Sequence, residues 1–90
     1  MVVDNNFDWQ NDANFAMPPR QDQVIYELHV GTFNRPDAAT SGTFDSAIEK
    51  LDYLRDLGVN IIELMPITSM AFSNGWGYAP NHIFSVESTA

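Results

Sequence analysis

Trp76 and Tyr78, one glycine apart, are the side chains of this chain best suited to hold a ligand. Both follow the second of two apolar, strand-like runs, and parallel α/β folds gather their binding groups in the loops after the strands. Surface loops usually avoid exposed Trp and Tyr. Two such rings, each offering a flat π face, are suited to stack on the C–H face of a sugar or on another flat apolar group. The packing alternative is that Trp76 plugs the mouth of the sheet. Gly75-x-Gly77 does not open a helix directly after a strand and lacks a third glycine, so a dinucleotide cofactor is not expected.

Glu27 and Glu63 are the second constellation. They occupy equivalent places in the two strand-like runs, and neighbouring strands lie ~4.8 Å apart. A retaining glycosidase uses a carboxylate pair ~5 to 5.5 Å apart. Both residues lie inside their runs rather than at the rims, where carboxylates more often accept structural hydrogen bonds. His29, near a strand end, has two readings: a ligand contact, or the more common satisfied structural histidine. His29 and His82 lack the His/Asp/Glu spacing of a metal site, so no metal is expected. There is no Gly-x-Ser-x-Gly and no phosphate-cradling loop.

The elements that must position these groups are legible. Val24–Val30 and Val59–Met65 are rich in β-branched and aromatic or aliphatic residues, as strands prefer, and Pro66 stops the second. Between them Phe44, Ile48, Leu51, Leu54 and Leu57 recur at three- and four-residue steps. That spacing predicts one amphipathic helix over Thr43–Leu57, its apolar stripe packed in the core. Thr43 is a suitable N-cap, Asp45 suits the first turn, and Gly58 stands where a C′ glycine belongs. Strand, helix and strand make a βαβ unit, whose strands run parallel because the crossover returns the chain to the same edge. One such unit cannot cover both faces of its own strands, so the chain reads as a piece of a larger α/β domain.

Around this unit the order weakens. Residues 1–23 hold Phe7, Trp9, Phe15, Met17 and Pro18-Pro19 without a regular period, an extended lead-in whose aromatics are expected to pack on this domain or one upstream. Thr32–Gly42 is a turn-rich loop. Ile67–His82 reads as a long irregular loop, and Ile83–Val86 as a short strand or an extended stretch. Ala90 is reached without helix or terminal punctuation, which predicts a truncated unit.

The 90 residues carry 12 acidic and 4 basic side chains, a formal charge of −8. That balance argues against nucleic acid or an anionic membrane as partner, since both need clustered Lys and Arg. The absence of cysteine excludes disulfides and thiolate metal sites. The first residues have no basic region followed by an apolar run, and no stretch approaches the ~18 apolar residues of a membrane span. A cytoplasmic setting is the default expectation.

Five segments together carry a family resemblance: Val24-Ile-Tyr-Glu-Leu-His-Val-Gly-Thr-Phe33, Gly42-Thr-Phe-Asp45, Leu51-Asp-Tyr-Leu-Arg-Asp-Leu-Gly-Val59, Ile62-Glu-Leu-Met-Pro-Ile67 and Gly75-Trp-Gly-Tyr78. The chain from about Phe7 to Ala90 resembles the start of an α-amylase superfamily catalytic domain (glycoside hydrolase family 13). The wording is closest to glycogen branching enzymes and maltooligosyltrehalose trehalohydrolases. The fold class this implies is α/β: the first βαβ unit and following loop of a (β/α)8 TIM barrel, truncated. Residues 1–23 would be the connector from an upstream β-sandwich, and 24–90 the N-terminal part of the barrel.

The resemblance further implies an α-1,4-glucan as partner and substrate, with no cofactor. Tyr78 matches the family tyrosine that stacks on the sugar just before the cleaved bond, while Ala79 departs from several relatives. The family's catalytic carboxylates follow later strands, and Glu27 and Glu63 match framework positions. The expectation is thus a fragment of a retaining glycoside hydrolase or transglycosylase that is inactive alone. The alternatives are a stand-alone α-glucan-binding module using Trp76 and Tyr78, or a non-functional truncated product.

Overall fold

The computed structural model describes residues 4–70 and 76–88. Strand β1 spans Ile25–Leu28 and β2 spans Ile61–Leu64; between them come three short helices, α1 (Val30–Phe33), α2 (Phe44–Ile48) and α3 (Leu51–Leu57). The strands pair in parallel, with Ile25 opposite Ile61, Tyr26 opposite Ile62, Glu27 opposite Glu63 and Leu28 opposite Leu64. The expected βαβ crossover is present, on a sheet of two strands.

Asn60 starts the ladder. Its side-chain oxygen accepts from the Val24 amide at 2.8 Å, and its amide group donates to the Asp22 carbonyl at 2.8 Å. The Val24 carbonyl in turn accepts from the amides of both Asn60 and Ile61, each at 3.1 Å. One side chain therefore ties the lead-in to both strands.

Both expected strands are shorter than the apolar runs that contain them. After His29 the backbone turns helical, and the Thr32 and Phe33 amides both donate to the His29 carbonyl, at 3.1 and 3.0 Å. Val30 therefore belongs to α1, where it is buried, and not to the strand. The Gly31 carbonyl, inside α1, accepts from the Gly42 amide at 2.9 Å and closes the loop between them. A side chain at Gly42 has no room, since its Cβ would lie 2.7 Å from the Val30 carbonyl oxygen. Inside the loop the Asp37 carboxylate accepts from the Ala39 and Thr40 amides and the Thr40 hydroxyl, at 2.7, 2.8 and 2.9 Å. The Ala39 amide first, then the two Thr40 groups, hold this carboxyl below the ordinary aspartate value.

The single helix expected over Thr43–Leu57 is two helices separated by Glu49 and Lys50. Its start is as expected: the Thr43 hydroxyl accepts from the Ser46 amide at 3.2 Å, while the Ser46 hydroxyl accepts from the Thr43 amide at 2.8 Å. This is a reciprocal cap with serine in the usual Glu/Gln position. Ser46 also donates to the Asn34 carbonyl at 2.8 Å, and the Asn34 amide group donates to the Ser46 carbonyl at 2.6 Å. The first turn is thus clamped to residue 34, whereas α3 is aligned by Leu54 on the sheet. The change of direction falls between those two anchors, at Lys50 (φ −101°, ψ 0°). At the far end Gly58 has φ 102°, its amide donates to the Arg55 carbonyl at 2.9 Å, and the Val59 amide reaches the Leu54 carbonyl at 3.0 Å. That is the Schellman pattern, with the Val59–Leu54 apolar contact that accompanies it.

The core is small: Leu28, Val30 and Leu54 are buried, with Phe33, Phe44, Val59 and Ile67 packed around them. The expected buried stripe is realised only in part. Ile48, Leu51 and Leu57 remain exposed, because a sheet of two strands offers too little surface to cover them. The lead-in holds two 3-10 turns, Asp12–Asn14 and Arg20–Asp22. Its aromatics do not join the core: Phe7 and Trp9 meet each other edge-on at 4.7 Å between ring centres, and both are exposed.

Candidate functional site

At the C-terminal end of β2 the Met65 amide donates to the Leu28 carbonyl at 2.9 Å, and Pro66 then ends the ladder by offering no donor of its own. Residues 67–70 continue as an extended rib. Thr68 bridges Val86 and Met70 bridges Pro80, both antiparallel. The Ser69 amide donates to the Ser85 carbonyl, and the Ser69 carbonyl accepts from the Asn81 amide, each at 2.8 Å. The Glu87 amide reaches the Ile67 carbonyl at 2.8 Å. The region read as one irregular loop is therefore organised on this rib. Ile83 and Phe84 form a turn and not a strand; only Val86 pairs.

Trp76 and Tyr78 sit on a turn docked against the rib. Trp76 and Gly77 have consecutive positive φ values, 49° and 86°. Glycine accepts such a conformation freely, but for a bulky residue like Trp it is an outlier held by its surroundings. Gly77 is buried between two exposed aromatics: Trp76 is 60% and Tyr78 65% exposed. Trp76 does not plug the sheet. The two rings stand in solvent just beyond the end of β2. Gly75 lies outside the described residues, so Gly75-x-Gly77 is followed only in its second half.

The remaining candidates are not drawn into this turn. Glu27 and Glu63 are paired in register, mid-ladder and exposed, on the face opposite the one that Leu28 shares with the helices. Neither carboxylate has a hydrogen-bond or ion-pair partner among the described residues. The structural hydrogen bonds expected of them are thus not made. His29 Nδ1 lies 3.1 Å from the Thr32 hydroxyl, the satisfied structural arrangement of its two readings. His82 holds the Ser85 amide and hydroxyl through its backbone carbonyl, at 3.3 and 3.2 Å. Among the described residues no group of three or more His, Asp or Glu side chains is placed to hold a metal ion. No described helix is long and apolar enough to cross a membrane.

Sequence reasoning missed the support of the turn: Pro66, Thr68 and Met70. The available signal was the alternation of Thr68 and Met70 after a strand-stopping proline, since alternate side chains of an extended segment share one face.

Residues 27–89 match the family model of the alpha-amylase catalytic domain. The chain belongs to this family. Malto-oligosyltrehalose trehalohydrolase of Saccharolobus solfataricus is 40% identical over 88 residues, covering 98% of this chain and 15% of that protein. The trehalohydrolase of Mycobacterium tuberculosis (strain ATCC 25618 / H37Rv) is 64% identical over 55 residues, 61% of this chain and 9% of its own length. Chloroplastic isoamylase 1 of Oryza sativa subsp. japonica is 39% identical over 93 residues, covering 90% of the chain and 12% of that protein. The chain thus spans between 9% and 15% of the length of these relatives. Within this match, both rings of the Trp76–Tyr78 turn are presented beyond the C-terminal end of a parallel strand, where parallel α/β folds gather their binding groups.

Proposed function

We propose that this chain forms part of an α-glucan-active retaining glycoside hydrolase or transglycosylase, and that Trp76 and Tyr78 bind its substrate. The observation that carries the reading is the exposed aromatic pair at the C-terminal end of β2, within a stretch matching the alpha-amylase catalytic domain. The parallel β1–β2 ladder is the first step of a (β/α)8 barrel. In such an enzyme a carboxylate attacks the anomeric carbon, a carboxylic acid protonates the leaving oxygen, and water or a glucan hydroxyl resolves the glycosyl-enzyme. Groups other than Glu27 and Glu63 supply that chemistry, since these two stand mid-ladder and not at the rim where the strands end. Tyr78 would hold the ring under attack. Of the two specificities the motifs resemble, release of trehalose from a maltooligosyl chain has the support of the relatives' names, and branching rests on the motifs alone.

The test is a titration of residues 1–90 with maltoheptaose, with the products followed chromatographically. Saturable binding lost in Tyr78→Ala, with no turnover, is the expected result. Cleavage or branching by residues 1–90 would place the reacting carboxylates within them and refute the assignment. The same exposed rings favour a second reading, a glucan-binding module that works without any catalytic partner. It is distinguished by whether the encoding frame continues into further βα repeats with Asp and Glu at strand ends.

A further inference from the structure

We infer that Pro66, Thr68 and Met70 are positioning residues that set the tilt of the Trp76–Tyr78 pair through the Gly77 peptide; this rests on the proposed binding role of the two rings. The Gly77 amide donates to the Met70 thioether sulfur at 3.0 Å, and the Thr68 hydroxyl donates to the Gly77 carbonyl at 3.2 Å. Both polar groups of this buried glycine are thereby satisfied by side chains two residues apart on one face of the rib. Pro66 completes the seat from below. A Cβ on Gly77 would collide with the Pro66 carbonyl oxygen and lie 2.7 Å from the Pro66 Cβ, so the turn approaches more closely than any residue with a side chain permits.

The geometry has a consequence for recognition. The two rings flank two peptide planes that meet at the Gly77 Cα. The Trp76–Gly77 plane carries the amide held by Met70, and the Gly77–Tyr78 plane carries the carbonyl held by Thr68, so turning either plane about this shared atom changes the angle between the rings. Three independent contacts hold this junction: a backbone abutment at the Cα, a hydroxyl on one plane and a thioether on the other. The rib itself is anchored elsewhere, by the bridges to Pro80 and Val86 and by the Met70 amide donating to the Glu87 carboxylate at 3.4 Å. Met70 therefore faces the turn from a fixed backbone. A thioether is a weak acceptor, so this contact chooses a direction more than it adds affinity. Positive φ at Trp76 is the local cost of the arrangement, and it persists because the neighbouring glycine is locked.

The experiment uses residues 1–90 with maltoheptaose as the probe. Its readouts are the dissociation constant and the NMR positions of the Trp76 indole N–H and Tyr78 ring, recorded without sugar. Gly77→Ala should weaken binding by about tenfold or more, the scale on which ångström-level misplacement acts, and shift both resonances. Because Gly77→Ala disturbs the fold most, two gentler variants carry the test as well. Met70→Leu and Thr68→Val should each weaken binding by about threefold and move the same two resonances, as loss of one neutral hydrogen bond would. Thr68→Ser should restore both readouts. Wild-type affinity with unmoved resonances in Met70→Leu and Thr68→Val overturns the inference, as does Thr68→Ser behaving like Thr68→Val. Random-coil positions for Trp76 and Tyr78 in the wild type overturn it too. If the wild type binds no maltoheptaose yet the resonances move together in both gentle variants, the positioning stands and the glucan reading falls.

Discussion

The β1–α3–β2 unit and the rib-and-turn beyond it are held together in different ways. In the first, backbone pairing and chain-local signals dominate: a four-residue parallel ladder, the Thr43–Ser46 cap, the Gly58 stop and one buried contact between Leu54 and the Leu28–Val30 pair. In the second, bridges are isolated and the turn hangs on contacts from Pro66, Thr68 and Met70 to one glycine. A region built on regular elements spreads its stability over many bonds. A region built on single contacts concentrates its shape in a few side chains.

The largest effect is expected at Leu54, the most buried side chain at 2% exposure. Leu54→Ala removes the one element of α3 that holds it on the sheet and should cost about 2–5 kcal/mol, comparable to the whole stability of a small unit. Denaturant titration followed by circular dichroism should show loss of the cooperative transition, and the Trp76 turn should go with it, since its rib grows from β2. Survival of the turn without the ladder would show that the two regions are independent.

Thr43→Ala removes the hydroxyl that accepts from Ser46 and should cost about 1 kcal/mol. Its effect belongs to the first region alone. The unfolding midpoint should fall while the Trp76 and Tyr78 resonances stay in place. Movement of those resonances would mean that α2 and the turn communicate.

A smaller change of opposite sign is expected at Glu63. Glu27 and Glu63 face each other in register, without an ion-pair partner among the described residues, and like charges opposed across a ladder are unfavourable. Glu63→Gln should therefore stabilise the unit by a few tenths of a kcal/mol, with a raised denaturant midpoint as the measurement. A loss of stability would point instead to a favourable partner for the carboxylate.

The smallest effect is confined to the loop after α1. Asp37 is held below the ordinary aspartate value by the Ala39 amide and by Thr40, so its folded form favours the carboxylate. A group with a lowered folded pKa contributes above its unfolded pKa and loses that contribution as pH falls through the folded one. Acidification from neutral pH should thus leave the loop ordered until the ordinary aspartate range is passed, then release the Ala39 and Thr40 amides to faster exchange. Asp37→Ala, which removes the acceptor, should show fast exchange at those two amides at all pH values, with the ladder unaffected.

Local chemistry was enough to read much of the first region. The crossover between two apolar strands dictates parallel pairing because no hairpin separates them, and the structure has that pairing. Thr43 and Gly58 act where their types predict, since capping and left-handed backbone are properties of single residues and their immediate neighbours. Aromatic type and position after the second strand picked out Trp76 and Tyr78. Other features needed contacts between residues far apart in sequence. Periodicity ran straight through Glu49 and Lys50, because hydrophobic spacing does not register a clamp from Asn34 on one half and the sheet on the other. Val30 looked like strand because its side chain is strand-like, yet its backbone follows the turn that His29 begins. Whether Trp76 lay inside or outside was beyond local chemistry altogether: a Trp residue has no intrinsic preference for positive φ, and it is the contacts of Gly77 with Pro66, Thr68 and Met70, distant in sequence, that seat the turn.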